Sequence, residues 1–146
     1  MTAGDTECRV HRLVADVAII ADGRVLLVKY RDTSRYDHQP GWFLPDDYLQ
    51  HREDPGGAAR RIAQEQVGIA LPSSRLGHVE SFGNGFWHLV FHYQADLGST
   101  QPPASSENVL AAQWFPLHAL PPPEEWGHEG WGLDTLAVMG FRGERP

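Results

Sequence analysis

Residues 41–69, GWFLPDDYLQHREDPGGAARRIAQEQVGI, constrain the fold of this chain more tightly than any other stretch. The second half carries helix boundary signals at both ends. Asp54 is a good N-cap, Pro55 takes the first helical position, where its missing N–H costs nothing, and Gly68 suits the left-handed residue that closes a helix. Between them Ala58, Ala59, Ile62 and Ala63 fall on one face at about 100° per residue, an apolar stripe shaped to pack on a sheet. Gly56 and Gly57 weaken the first turn without breaking it. Ahead of the helix, Trp42, Phe43 and Leu44 read as a short strand that Pro45 stops. The spacing predicts a helix over residues 55–67.

The rest of the chain supplies the sheet for that helix. Residues 13–20 and 24–30 flank Asp22-Gly23, and residues 76–82 and 86–96 flank Gly83-Asn84-Gly85, so both pairs read as β-hairpins. Residues 31–40 form a polar loop, 98–106 a Gly/Ser/Pro loop, and Pro121-Pro122-Pro123 a stiff extended piece. Residues 110–117 read as a further strand and 133–139 as a short C-terminal helix. Without internal repeats, hairpins with one central and one terminal helix indicate an α+β sheet-and-helix sandwich. We expect one domain over residues 1–146, with residues 1–11 as a loose N-terminal arm.

Composition narrows the functional classes. The formal charge is −7, and Lys29 is the single lysine among 12 basic residues. A duplex nucleic-acid binder needs a basic footprint to replace condensed counterions, so that class is excluded. An acidic protein that handles phosphates normally needs a divalent cation between the two negative partners. The single cysteine, Cys8, rules out an internal disulfide and any multi-cysteine metal site. No run approaches the roughly 18 apolar residues that span a membrane, and the first residues lack the apolar core of a signal peptide. The expectation is a soluble cytoplasmic protein with no membrane partner.

Positions 62, 65 and 66 lie at i, i+3 and i+4 on the predicted helix and so share one patch. Three carboxylates there would repel one another unless a hard cation such as Mg²⁺ sat among them. This stretch resembles the Nudix box, whose pattern is Gly, five residues, Glu, seven residues, Arg-Glu, an apolar residue, any residue, Glu-Glu, any residue, Gly, apolar. Laid on residues 47–69 without gaps, it matches at Glu53, Arg61, Ala63, Glu65, Gly68 and Ile69. It departs at Asp47, where Gly is expected, and at Ile62 and Gln66, where Glu is expected. Asp46 and Asp47 replace the family's paired glycines, so the box is degenerate.

The resemblance, which extends over approximately residues 12–140, implies an α/β/α sandwich with a mixed β-sheet. It also implies Mg²⁺-dependent hydrolysis of a diphosphate linkage in a nucleoside diphosphate derivative, with Mn²⁺ as an alternative cation and a homodimer as the expected assembly. A catalytically silent module that binds a nucleotide or a protein is the competing expectation. Ile62 cannot fill the general-base role often credited to its position, and Gln66 offers a neutral carbonyl oxygen only. We therefore expect a relocated metal site of Glu65, Glu53 and Asp46 or Asp47, with Gln66 as a further donor. Asp tolerates unusual backbone angles, which would let the loop keep its turn, and capping such a turn is the aspartates' plainer role. Arg61, at i−4 to Glu65, would orient it, against the plainer alternative of a surface pair worth a few tenths of a kcal/mol.

A second candidate lies on the later hairpin. Alternation puts His88 and His92 on one face with His78, and simple pairing across the turn sets Glu80 opposite His88. These residues could hold zinc or act as general acid and base, although a half-exposed polar face without a ligand is the commoner outcome. Glu53, Glu80 and the histidines are the candidate general bases. Of five tryptophans, Trp126 and Trp131, flanked by glycines and acidic residues, are the more suggestive for stacking on a nucleobase; most large aromatics in a small domain are core.

Overall fold

The computed structural model describes residues 11–83, 87–104 and 106–141. Cys8 and nearly all of the expected N-terminal arm lie outside them, as do residues 84–86 at the expected tip of the second hairpin. Eight elements follow in order: β1 (His11–Ala21), β2 (Arg24–Tyr30), β3 (Asp46–Tyr48), α1 (Pro55–Val67), β4 (Arg75–Phe82), β5 (Trp87–Asp96), β6 (Val109–Pro116) and α2 (Trp131–Val138). Short 3₁₀ turns interrupt the loops at Ser34–Tyr36, Pro123–Glu125 and Gly127–Glu129. The mixed sheet runs β4-β5-β1-β2-β6, with β3 added beside β1.

Strand β1 organises this sheet. One edge pairs in parallel with β5 from His11↔Trp87 to Ile20↔Asp96. The other edge is shared: β2 pairs with its end at Ile20↔Val25 and Ala21↔Arg24, and β3 with its middle from Val14↔Tyr48 to Asp16↔Asp46. Between β2 and β3 the chain bridges the gap, with reciprocal hydrogen bonds of 2.9 and 2.8 Å between Val28 and Phe43. The segment 42–44 expected as a strand thus makes only isolated bridges, Phe43 to Val28 and Trp42 to Trp126. The strand proper comes after Pro45, at the two aspartates. Neither has a positive φ, so the turn expected to need unusual backbone angles at Asp46-Asp47 is extended chain instead.

Alternation along the strands separates two cores. Odd residues of β1 (Ala15, Val17, Ile19), with Leu26 and Val28 of β2, face α1 and bury Ala58, Ala59, Ile62, Ala63 and Val67. Even residues (Ala18, Ile20), with Val25 and Leu27, face the C-terminal segment and bury Trp42, Leu44, Trp126 and Leu136. The helix has the boundaries its sequence predicts. Asp54 accepts a hydrogen bond from the Gly57 amide at 3.0 Å, and Gly68 closes the helix at φ 69°. Trp126, a candidate for base stacking, is buried at 3 % exposure with its indole Nε1 donating to the Pro121 carbonyl at 2.8 Å.

Gly41 joins the two sides of the second core. Its φ of 107° is in the region that favours glycine, and a Cβ there would lie 2.7 Å from the Glu125 carbonyl oxygen. The neighbouring Trp42 amide donates to that same carbonyl at 2.9 Å. We expect Gly41→Ala to destabilise the protein by about 2 kcal/mol, combining strain with loss of that close approach. Asp54→Ala, which removes only a cap, should cost about 1 kcal/mol. Urea unfolding of the two variants checks the order.

Candidate functional site

Arg61 is the centre of the box in three dimensions. Its Nε donates to Glu53 Oε2 at 2.8 Å and one terminal nitrogen to Glu53 Oε1 at 3.0 Å, the paired fork that suits a carboxylate. That nitrogen also donates to the Tyr48 carbonyl at 3.0 Å, and the other donates to Asp47 Oδ2 and Glu65 Oε1 at 3.1 Å each. A guanidinium has five N–H groups, and these five bonds use all of them. The Arg61 side chain is only 13 % exposed. The hydrogen bond to Glu53 contributes most to holding the guanidinium proton even more firmly than usual, and the same bond lowers the Glu53 carboxyl below its ordinary range. Arg61 therefore does more than pair with Glu65: it joins the helix to β3 and to the loop before α1.

Three of the proposed metal-site residues, Asp47, Glu53 and Glu65, thus lie together around one cation of the protein's own. Glu53 also accepts from the Gln50 amide at 2.9 Å, which leaves it a structural anchor. Asp47 accepts from Arg35 at 2.7 Å as well. Glu65 is different: its side chain is 58 % exposed, and only Oε1 has a hydrogen-bond partner among the described residues. Ile62 is wholly buried under the sheet. Gln66 is engaged at both ends of its amide, accepting from the Tyr30 hydroxyl at Oε1 (2.8 Å) and donating from Nε2 to the Asp46 carbonyl (2.8 Å). A glutamate could not donate that second bond, so the departure from the family pattern here fastens β3 to the helix.

Asp46 faces the opposite way. It pairs with Asp16 across the β1–β3 ladder, and both carboxylates are buried on the α2 side of the sheet. Asp16 in turn holds His92, whose Nδ1 lies 2.8 and 2.9 Å from its two carboxylate oxygens. His92 Nε2 lies 2.9 Å from Glu80 Oε1, and Trp131 Nε1 donates to Glu80 Oε2 at 3.3 Å. The register that builds this chain differs from the simple pairing: His78 sits opposite His92, Glu80 opposite Val90, and Phe82 opposite His88. A shift of two residues keeps every side chain on its face but gives Glu80 to His92 rather than to His88. His78 stacks on His92 with centroids 5.9 Å apart, and His88 stacks on Phe82 at 4.9 Å. Asp16 was not legible as a site residue, because a lone Asp in an apolar strand carries no motif.

Several of these groups, Asp46, Glu80, Phe82, His88 and Trp131, line a cavity of about 400 Å³. Asp46, Asp47 and Glu80 lie in its wall with Arg35, and Tyr36, Phe82 and Trp131 supply flat aromatic surface. Glu53 and Glu65 are not in that wall, so β3 is where the box and the cavity meet. Among the described residues, no group of three or more His, Cys, Asp or Glu side chains is arranged around a metal position. In kind, the donors suit a hard divalent cation: Glu65 keeps Oε2 clear of protein partners among the described residues, while its Oε1 and Asp47 Oδ2 each lie 3.1 Å from the same guanidinium nitrogen. Three carboxylates against Arg35 and Arg61 leave one net negative charge, which suits weak binding.

Burial contributes most to holding the Asp46 carboxyl well above the usual carboxylate range, with the charges of Asp16 and Asp47 adding to it. The folded state therefore takes up a proton that the unfolded chain releases near pH 3.8. Stability must fall as pH rises from there through the raised value. Asp46→Asn removes this penalty and should raise the melting temperature at pH 8 more than at pH 4.5. Thermal unfolding at the two pH values checks it; an unchanged pH slope would show that Asp46 is not the group responsible.

Comparison with known proteins agrees with this geometry. The family model described as the NUDIX domain matches residues 10–133. Among solved structures, a MutT NUDIX hydrolase from Burkholderia pseudomallei superposes with a TM-score of 0.70 at 27 % identity, covering 88 % of this chain and 95 % of that one. The E. coli dihydroneopterin triphosphate pyrophosphohydrolase superposes at 0.60 with 18 % identity over 75 % of this chain and 84 % of its own. A C. elegans Ap4A hydrolase, a binary complex, superposes at 0.59 with 16 % identity over 88 % and 85 %. The last two share the fold. No curated protein is similar enough to match. With the helix boundaries, the mixed sheet and the family match in agreement, the chain belongs to the NUDIX domain family.

Proposed function

We propose that this protein hydrolyses a diphosphate linkage in a nucleoside diphosphate derivative, with Asp47 and Glu65 holding a divalent cation and the neighbouring cavity receiving the nucleoside end. The observation that carries this reading is the convergence of Asp47, Glu53 and Glu65 on Arg61 beside a cavity with aromatic walls. When bound, Mg²⁺ or Mn²⁺ supplies charge neutralisation for the phosphates and a more acidic water. The protein's own residues do the rest. Glu53 fixes the guanidinium plane, Arg61 then fixes the carboxylates of Asp47 and Glu65, and Arg35 stands at the cavity wall as a cation for phosphate oxygens. Glu80 lies across the cavity from this edge, with its Oε1 2.9 Å from His92 Nε2.

A second reading, nucleotide binding without turnover, has its own support. Ile62 is core and Gln66 is engaged at both ends, so two of the family's three helix carboxylates are replaced by groups with structural work. A homodimer and a cytoplasmic location remain expectations.

Phosphate release from ADP-ribose, a dinucleoside polyphosphate, a nucleotide sugar and a nucleoside triphosphate, each with Mg²⁺, Mn²⁺ or Zn²⁺, separates the readings. Metal-dependent turnover that drops about 100-fold or more in Glu65→Gln supports hydrolysis. No turnover, with a nucleotide still raising the melting temperature, supports the binding module. The cation site has its own test. Arg61→Gln leaves three carboxylates without their shared partner and should cost about 2 kcal/mol. Millimolar Mg²⁺ should then raise the melting temperature of the variant more than that of the wild type, because a cation that binds only the folded state stabilises it. Equal shifts would remove Asp47 and Glu65 as ligands.

A further inference from the structure

The chain Asp16–His92–Glu80 has no part in the box, and stability does not account for it. Burying carboxylates around an imidazole costs desolvation that their attraction does not reliably return. Both nitrogens of His92 lie within hydrogen-bond distance of carboxylate oxygens, so the ring bridges Asp16 and Glu80 and one proton is shared along the chain. Asp16 grips one end with both oxygens and is itself buried. The other end grips Glu80 at Oε1 while Trp131 holds Oε2, so this carboxylate is fixed in position and plane. Its side chain is still 33 % exposed and lies in the cavity wall.

A carboxylate has about four lone-pair sites, so each Glu80 oxygen keeps acceptor capacity after these two bonds. Phe82, two residues on along β4, is on the same face and 41 % exposed. Its ring is nearly perpendicular to that of Trp131, at 76° and 5.8 Å between centroids. His88 already covers one face of Phe82, so the two rings set aromatic surface in two planes beside Glu80, where a flat heterocycle can lie with an edge within reach of that carboxylate. Two parallel acceptors match two adjacent N–H donors. Guanine has that pair at N1 and N2, whereas adenine sets its N1 acceptor against the carboxylate and hypoxanthine lacks the second donor.

We propose that Glu80, positioned by His92 and Asp16, is the acceptor that selects a heterocycle presenting two adjacent N–H donors, a guanine-type edge. This deepens the nucleotide-substrate reading and rests on the cavity receiving the nucleoside end. The test is calorimetric binding of GMP, IMP and AMP to the full chain in Mg²⁺. These monophosphates contain no diphosphate linkage, so the outcome does not depend on turnover, and a failed hydrolysis assay would leave it standing. Wild type is expected to bind GMP about tenfold or more tightly than IMP or AMP. Glu80→Gln should keep the wild-type melting temperature to within a few degrees and bring the GMP-to-IMP ratio close to one. Asp16→Asn, which retains Glu80 but loosens its support, should narrow the ratio part-way; a merely structural role would weaken all three nucleotides alike. Equal binding of GMP and IMP by wild type, a ratio that survives Glu80→Gln, or no binding of any of the three at millimolar concentration overturns the proposal.

Discussion

The five hydrogen bonds of Arg61 hold the functional half of the molecule together. One guanidinium ties helix α1 through Glu65, strand β3 through Asp47 and the Tyr48 carbonyl, and the connecting loop through Glu53. A lysine could not do this, because it has three protons on one atom and cannot present a planar fork to Glu53 while reaching two further carboxylates. Since the group is mostly shielded from water, its charge is felt by all three acids, and their mutual repulsion is offset without any ion. This arrangement lets a box that has lost two glutamates keep its shape.

Strand β3 is the consequence with the widest reach. Its three residues alternate across the sheet, so Asp46 and Asp47, adjacent in sequence, belong to different chemical environments. Asp47 is exposed to Arg35 and Arg61. Asp46 is buried against Asp16, and burial with like charges nearby is what raises its carboxyl. Its backbone carbonyl is held by Gln66 at 2.8 Å and lies 3.2 Å from the Tyr36 hydroxyl. Tyr30 is also within 3.3 Å, but its single proton serves the shorter contact to Gln66. Two neighbouring aspartates that look interchangeable in a sequence are thus a charged partner of the box and a reluctant, buried acid of the cavity floor.

How much could be read in advance follows from the range of each signal. The limits of α1 were legible because Asp54, Pro55 and Gly68 act within one turn of their own backbone. The hairpin of β1 and β2 was legible for the same reason, as Asp22-Gly23 closes it locally. The parallel pairing of β1 with β5 was not, since nothing in either strand encodes a partner about 75 residues away. That pairing sets Asp16 beside His92, so the acid–imidazole pair was invisible even though His92 and Glu80 were already candidates. The two-residue error at Glu80 has a related cause: the turn at 83–85 fixes register only when its length is known, and alternation constrains the face alone. Spacing put Gln66 on the correct patch of the helix, but only the position of Tyr30 and the Asp46 carbonyl shows that both ends of its amide are taken.

The two clusters meet a shared electrostatic requirement from opposite sides of the sheet. A cavity whose wall holds the carboxylates of Asp47 and Glu80 repels a bare phosphate. A nucleotide can enter only if its anionic end meets cations and its uncharged end meets acceptors. Arg35, and any divalent ion at Asp47 and Glu65, answer the first condition at the β3 edge. Glu80, stiffened by His92 and Asp16, answers the second at the far wall beside Phe82 and Trp131. In the proposed reading the ligand's orientation follows from charge, because reversing it would set phosphate against Glu80. In that arrangement the acidic excess of the chain is not an obstacle to nucleotide chemistry but the feature that gives the cavity a direction.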